Sequence, residues 1–449
     1  MLTNGIYKKL YDIFGTEGFR TKNLDDYAID SIVPKSLAVP HSFDQVAEVM
    51  KLAFSENIKV FPWGGGTSRG PGLPPEQYDL VINLQKLDRV IEFVPDDLTC
   101  SVQSGITLHE LNHILSEKDL FVPLDPPLSR QATIGGITAA NMSGPLRLHY
   151  GNVKDQILGM QLISSDGTVV KSGGKVVKNV AGYDVHKLFI GSIGTLGIIN
   201  QINFKLLPVP ALKKTVVLGF DSIPSAIEIT KLLLDSFVIP EFLVLCCKGT
   251  LKVLAEKSHL SIPDQTTGLI IGVDNHPENT QWQIEEIQRL VGGTSLQCMY
   301  VVENEQQNVL RRSFRDYPET FNSELIVRVT FLLSHYPELY QQQKKLQEKL
   351  HHPAYLLVNP GYGVMHLIYD SINRLDEKEK DAYVDFLSEL VDLTEKMQGS
   401  LLLEKAPLWV KNRIPVWGKQ REDFLLMHAI KKELDPHNIM SPGRFMDEL

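Results

Sequence analysis

The sequence predicts an α+β protein built in two parts, and three observations support that class. Its 449 residues exceed what one hydrophobic core normally organises. The first third reads as short strands and helices broken by glycine and proline. From about residue 211 the texture changes to strand-like runs alternating with helical runs, and Pro208 and Pro210 mark the change.

The elements follow in order. Phe43 to Ser55 places Val46, Val49, Met50 and Ala53 on one helical face. A strand, Ile58 to Phe61, runs into Pro62-Trp63-Gly64-Gly65-Gly66-Thr67, and Leu80 to Leu84 forms another strand. Ile106 to Glu117 reads as an amphipathic helix. Residues 134 to 197 hold twelve of the 32 glycines, so the backbone there turns tightly or approaches something closely. In the second part Val216 to Phe220, Phe242 to Cys246, Leu269 to Val273, Ile326 to Leu332 and Tyr355 to Val358 read as strands. Residues 420 to 434 form a last helix, stopped by Asp435-Pro436. There is no repeat and no low-complexity segment.

Composition excludes several functions. The net charge of -9 and the lack of a dense Lys/Arg stripe argue against nucleic acid as a partner. The start, MLTNGIYKKL, lacks the basic-then-apolar build of a signal peptide, and no stretch is apolar for the length of a membrane span. A cytoplasmic protein without direct membrane insertion is expected, peripheral to a membrane only through partners. The four cysteines form no C-x-x-C pair, which supports neither a zinc site nor an iron–sulfur cluster; buried, reduced thiols are expected. His109-Glu110-Leu111-Asn112-His113 matches a zinc-protease pattern. However, Leu108, Leu111, Ile114 and Leu115 form the buried stripe and leave both histidines on the outer face.

The loop Gly64-Gly65-Gly66-Thr67-Ser68-Arg69-Gly70 follows a strand, as nucleotide loops do. A Rossmann fingerprint begun at Gly64 would need glycine where Arg69 stands, and no Gly-Lys-Ser/Thr makes a P-loop. Both motifs also need a helix next, which Pro71, Pro74 and Pro75 prevent. What remains is a nest, consecutive backbone N–H groups aimed at one anion; a diphosphate suits it. A plain glycine turn between strands is the competing reading.

The segment from Lys175 to Pro208 contains Lys-Asn-x-Ala-Gly-Tyr-Asp at 178–184 and Gly-Ser-x-Gly-Thr-Leu-Gly at 191–197. This resembles the FAD-binding domain of the vanillyl-alcohol-oxidase/para-cresol-methylhydroxylase flavoproteins. More closely it resembles the FAD-binding D and E subunits of bacterial glycolate oxidase. Further blocks agree in order. Pro62, Gly64, Gly65, Gly66 and Thr67 match the family's pyrophosphate loop. Pro126, Thr133, Gly135 and Gly136, then Asn141, Ser143 and Gly144, then Tyr150 and Gly151, match a second flavin-contacting stretch. Gly191, Gly194, Thr195, Gly197, Ile198 and Ile199 match a third. The ending, Leu434 to Phe445, matches the closing loop, with Ser441 where the family usually carries Asn.

The resemblance implies a two-part, PCMH-type FAD-binding domain with a second α+β cap domain on an antiparallel sheet. It divides the chain into an N-terminal helical segment (1–33), the FAD domain (34–210), the cap or substrate domain (211–406) and a segment returning to the FAD domain (407–449). It implies FAD as cofactor, with Gly135, Gly136 and Gly144 letting the backbone lie against the flavin. Arg444 would offer charge near its N1–O2 locus. Thr67 follows the glycines where covalent relatives carry histidine, so FAD is expected without a covalent link.

Relatives that oxidise D-2-hydroxy acids alone carry His-x-Gly-Asp-Gly-Asn-x-His, which holds a metal, and later Glu-His-Gly, which supplies the base. Here the first reads Asn359 to His366 and the second Glu404-Lys405-Ala406. One histidine survives, the acid is Tyr362, and Lys405 stands at the base position, so no metal is expected. The pattern resembles the E subunit. Arg328, mid-strand, is the expected carboxylate holder and His366 the expected base. The implied substrate is a small 2-hydroxy acid, and the implied partners are a sister D-type subunit and an iron–sulfur subunit. Two other readings stay open: a scaffold with catalysis in the sister subunit, and a self-sufficient dehydrogenase of another hydroxy or sugar acid.

Overall fold

The computed structural model describes residues 3–174, 183–350, 352–420 and 422–446. The Lys178–Asp184 motif therefore lies mostly outside the described residues. Two compact units form: one gathers Met1–Ser143, Asn152–Val209 and Gln420–Leu449, the other Gly144–Gly151 and Pro210–Lys419.

Unit one starts with α1 (Asn4–Gly18), capped by the Thr3 side chain and interrupted at Gly15, where φ is 67°. The first segment is not purely helical as expected. After the interruption the chain extends as β1 (Phe19–Arg20), which pairs with β2 (Ser36–Ala38). Helix α2 (Phe43–Glu56) begins where the Ser42 side chain accepts the Gln45 N–H. It stops at Asn57 in the left-handed region, φ 53°. Its Val46, Val49, Met50 and Ala53 share one core with Val60, Leu80 and Ile82. Burying such a side chain stabilises by about 1.5–3 kcal/mol. Strands β3 (Val60–Trp63) and β4 (Leu80–Asn83) complete a four-stranded sheet of order β1-β2-β4-β3, in which β4 is parallel to both neighbours.

The next elements are β5 (Val90–Val94), β6 (Thr99–Gln103), α3 (Leu108–Ser116), β7 (Leu120–Phe121), α4 (Ile134–Ala140), α5 (Arg147–Tyr150), α6 (Val153–Gln156), β8 (Ile157–Ile163), β9 (Val169–Gly173), β10 (Ile198–Lys205) and β11 (Leu207–Pro208). A second, antiparallel sheet has the order β5-β6-β10-β8-β9, and β7 pairs only with β11. Helix α3 starts at Leu108 because Thr107 caps it. Its Leu111 and Leu115 are buried with Val102, Ile202 and Phe204 of the sheet. His109 and His113 are both exposed, as the stripe predicts.

Unit two contains β12 (Leu212–Phe220), α7 (Ile223–Leu234), β13 (Phe242–Cys246), α8 (Lys248–Ser258), β14 (Thr267–Asn275), α9 (Pro277–Val291), β15 (Leu296–Val302), α10 (Asn304–Arg315), α11 (Tyr317–Thr320), β16 (Leu325–Thr330), α12 (Tyr336–Gln347), β17 (Tyr355–Asn359), β18 (Val364–Tyr369), α13 (Glu377–Lys396), β19 (Ser400–Lys405) and α14 (Leu408–Lys411). All eight strands join one sheet, β15-β12-β14-β13-β17-β18-β16-β19, antiparallel at every pairing as expected. Strand β13 is buried at every position and β14 at nearly every one. That is why they read as continuous apolar runs rather than alternating ones.

The chain leaves unit two at Lys419 rather than at 406. Residues Val410 and Lys411 of α14 are buried, and Leu403 donates to the Val416 carbonyl at 2.9 Å. Gly144–Gly151 also groups with this unit, because Leu148 packs against Gly361 and the Tyr150 hydroxyl bonds to Glu241. The last helix, α15 (Phe424–Leu434), belongs to unit one.

Candidate functional site

In unit one a cleft of about 970 Å³, open mouth included, lies among three glycine-bearing segments.

Strand β3 delivers Pro62 and Trp63 to the first wall, and the chain then turns through Gly64, Gly65, Gly66 and Thr67. Gly66 sits at φ 68°, a region that favours glycine. Among the described residues, the N–H groups of Gly64 through Ser68 have no backbone acceptor. Such a row of N–H groups is free of backbone partners, as an anion-binding nest requires. The need for glycine at 64 and 65 comes from behind the loop. A Cβ at Gly64 would stand 2.0 Å from Thr133 Oγ1, and one at Gly65 would stand 1.8 Å from the Gln131 carbonyl oxygen.

The second wall is the start of α4, where the Thr133 side chain accepts the Gly136 N–H at 3.3 Å. Gly135 is tucked against Ser104, 2.8 Å from an added Cβ to that side chain. Its smallness thus serves the packing of α4 against Ser104 as well as the lining of the cleft. The third wall is the turn at 191–197. Gly191 (φ 84°), Ile193 (φ 54°) and Gly194 (φ 72°) all occupy the left-handed region. A β-branched residue there is strained, and strain of this kind persists only where neighbours enforce it. The Gly191 and Ile193 N–H groups are held by the Thr138 and Ala139 carbonyls at 3.1 and 2.8 Å.

Of the sequence-predicted residues, Pro62, Gly64, Gly65, Gly66, Thr67, Thr133, Gly135, Gly136, Gly194, Gly197, Ile199 and Arg444 line this cleft. Asn141 instead terminates α4 in the left-handed region, and Ile198 is buried in the core beside β3. Gly191 and Thr195 shape the third wall from outside the lining, the Thr195 hydroxyl bonding to the Ser192 carbonyl at 2.7 Å. Pro126 and Ser143 are not among the lining residues. Gly144, Tyr150 and Gly151 group with unit two.

Arg444 lines the cleft and is anchored to the polypeptide beside it. Its guanidinium donates to the carbonyls of Leu73, Arg69 and Pro71, the last two at 2.7 and 2.5 Å. Asp30 stands 3.8 Å away. Burial pushes its pKa down to about 10, so it remains charged near neutrality. A buried guanidinium needs acceptors. Here carbonyls of the proline-rich loop after the nest take three of its five N–H donors.

Sequence reading missed Ser104, whose hydroxyl is buried, lines the cleft and has no hydrogen-bond partner in the structure. An orphaned buried hydroxyl in a cradle of N–H groups fits a polar cofactor such as FAD. It also missed Ile29, which carries no sequence signal, and Ile193, which the glycine motif encloses. Among the described residues, those lining the cleft include no histidine, cysteine or tyrosine. Acid or heat should therefore release all the flavin into solution; flavin retained on the denatured chain would contradict this.

Unit two holds a separate polar cluster. Arg328 on β16 stands directly opposite His366 on β18, so the side chains share a face. Glu404 is the extra residue of a bulge on β19, between the pairings of Leu403 with Val327 and of Lys405 with Ile326. Glu404 accepts from the Tyr317 hydroxyl at 2.6 Å and from Arg328 Nη1 at 3.2 Å. His366 Nε2 lies 3.6 Å from Glu404, an ion-pair distance too long for a hydrogen bond. Burial alone would raise the Glu404 pKa. The neighbouring His366 ring, the Arg328 guanidinium and the Tyr317 hydroxyl overcome it and hold the group down at about 2. Arg328 Nε and Asn359 Oδ1 are buried without partners. Lys405 Nζ, at the expected base position, donates to the Ser323 carbonyl. Among the described residues no group of three or more His, Cys, Asp or Glu stands close enough to hold a metal ion.

Comparison with known proteins follows this geometry. The profile of the FAD binding domain matches residues 34–173, and that of the FAD linked oxidases, C-terminal domain, matches 209–445. The chain is 24% identical to the glycolate oxidase subunit GlcD of Bacillus subtilis (strain 168), over 99% of this chain and 97% of that one. It is 26% identical to a mitochondrial D-lactate dehydrogenase (cytochrome) of Arabidopsis thaliana, over 92% of this chain and 74% of that one. Its fold matches p-cresol methylhydroxylase solved with substrate bound, with a TM-score of 0.78, 18% identity, and coverage of 99% of this chain and 97% of that one.

Proposed function

The chain belongs to the FAD-linked oxidases, and from that premise we propose that it is the FAD-binding subunit of a multi-subunit enzyme that oxidises a small 2-hydroxy acid, glycolate foremost. The observation that carries this reading is the cluster of Arg328, His366 and Glu404 on one face of the unit-two sheet. Oxidation of such an acid needs a cation for the carboxylate and a base for the hydroxyl proton. Bound FAD supplies the hydride acceptor. Arg328, with its orphaned Nε, grips the carboxylate. His366 takes the hydroxyl proton, and Glu404 beside it stabilises the imidazolium that results.

Similarity to the glycolate oxidase subunit GlcD supports a place in a multi-subunit assembly, in which the sister FAD-binding subunit is part of the proposal. Asn359 and Lys405, where D-type sequences carry histidines, support the E-type position in it. The four cysteines are free: Cys100 and Cys246 are buried, and Cys247 and Cys298 half-buried. Electrons therefore leave this chain for a separate iron–sulfur partner.

A second reading, a flavin-bearing scaffold with catalysis in the sister subunit, is favoured by the engagement of Lys405 with Ser323. Steady-state oxidation of glycolate and D-lactate by the assembled enzyme separates the two. Arg328→Met should raise KM by roughly 10- to 100-fold, the value of a charge-assisted hydrogen-bonded grip. An unchanged KM would remove Arg328 from substrate binding and leave the scaffold reading.

A further inference from the structure

Lys431 on α15 is a lysine with a side chain only 6% exposed, and nothing in the proposed chemistry uses it. Its ammonium has three donors, and three acceptors surround it. It donates to the Thr195 carbonyl at 2.8 Å, to Asp435 Oδ2 at 2.6 Å and to the Met440 carbonyl at 2.9 Å. Asp435 is fully buried and also accepts the Ile439 and Met440 N–H groups at 3.0 and 2.8 Å.

The two carbonyls belong to segments attached to different sheets of unit one. Met440 forms a parallel bridge with Val60 of β3, whose N–H donates to Ile439 at 2.7 Å and whose carbonyl accepts from Ser441 at 2.9 Å. Strand β3 is the one that runs into the Gly64–Thr67 nest. Thr195 lies in the strained turn that leads into β10 of the second sheet. Cleft-lining residues flank each attachment: Ser441 beside Met440, and Gly194 beside Thr195. A single buried ammonium thus ties together two walls of the cleft. Asp435 makes this possible, because an unpaired lysine would not stay charged there.

We propose that Lys431, with Asp435, is a positioning residue for FAD: it sets the spacing between the wall that leaves β3 and the wall that enters β10. The proposal rests on FAD occupying this cleft. A merely structural ion pair would change stability without a specific effect on the cofactor.

The test titrates FAD into the full-length chain after acid release of its flavin, following flavin fluorescence, with far-UV circular dichroism of the flavin-free chain alongside. Lys431→Met should weaken FAD binding by roughly tenfold or more while the dichroism spectrum is retained. Arg311→Met, which breaks the buried Arg311–Asp274 pair in unit two, is the control and should leave FAD affinity within about twofold. Wild-type affinity in Lys431→Met, or an equal loss in Arg311→Met, overturns the proposal. Should the single variant not fold, the double Lys431→Met/Asp435→Asn removes the stranded carboxylate and is read the same way. Failure of both to fold assigns the pair to stability alone and also overturns it. Gly65→Val separates this from the underlying assignment: if that variant binds FAD normally, the cleft itself is misassigned.

Discussion

Replacing Gly65 with valine should abolish FAD binding and lower the stability of unit one. The first atom of any side chain at 65 would stand 1.8 Å from the Gln131 carbonyl oxygen and 2.7 Å from its carbon. Both are backbone atoms, so no rotamer change relieves the contact. Either the nest moves out into the cleft or residues 131–133 move back and disturb the start of α4. Overpacking a close-packed site costs about 1–3 kcal/mol, and a backbone-to-backbone clash lies at or above that range. The N–H groups of Gly64 to Ser68 would no longer converge, and a diphosphate bound by several aligned donors is sensitive to such misplacement. FAD affinity should fall by roughly a hundredfold or more. The obstruction comes from behind the loop rather than from a side chain filling the nest, so even Gly65→Ala should suffer much of the loss. Flavin content after purification and FAD titration read the effect; full yellow occupancy in Gly65→Val would refute it.

Glu404→Leu should be the most damaging single change in unit two. It would leave the Tyr317 hydroxyl, Arg328 Nη1 and His366 without their shared anion. Removing one member of a buried pair costs about 3–5 kcal/mol, and the partly open Arg328 side chain, 31% exposed, puts the expectation near the low end. Thermal unfolding at neutral pH would read this. Acid should read it too, with a definite sign. The folded-state pKa of Glu404 is held down from 4.5 to about 2. The unfolded chain therefore takes up the proton first. The stabilisation is present above about pH 4.5 and fades as pH falls toward 2. The melting-temperature gap between the wild type and Glu404→Gln should accordingly narrow across that window. A gap that stays constant from neutrality down to pH 3 would mean that Glu404 is not the ionised hub described here.

The two largest effects sit in different units and had different visibility in the sequence. The glycine loop was legible because its chemistry is local. Consecutive glycines after a strand, with prolines forbidding a helix, leave a backbone nest as the phosphate-binding device. The helical face of α2, the outward histidines of α3 and the buried runs of β13 and β14 were legible for the same reason. Periodicity and turn chemistry act over a few residues. Arg328, His366 and Glu404 could each be marked individually, by an awkward charge in a strand or by family resemblance.

What joins them is tertiary. Arg328 meets His366 through the register of β16 on β18, and Glu404 reaches both because a bulge adds one residue to β19. No local pattern announces a bulge. The return of the chain to unit one at Gln420 was likewise decided by packing, as was the grouping of Gly144–Gly151 with unit two. Arg444 shows the same division of labour. Its presence at the cleft was legible, but its anchoring by the carbonyls of Arg69, Pro71 and Leu73 was not. Lys431 was invisible altogether, a lysine near the end of a helix rich in apolar residues. Its role arises because the Thr195 carbonyl, from a distant segment, joins the Asp435 carboxylate and the Met440 carbonyl on one ammonium. By itself, then, the sequence determined the two-part α+β organisation, because backbone turns and periodic burial are written locally, and its motifs pointed to FAD in unit one through family resemblance. The tertiary structure decided which polar groups meet, because a buried charge takes its function from the partners that long-range packing brings within hydrogen-bond reach.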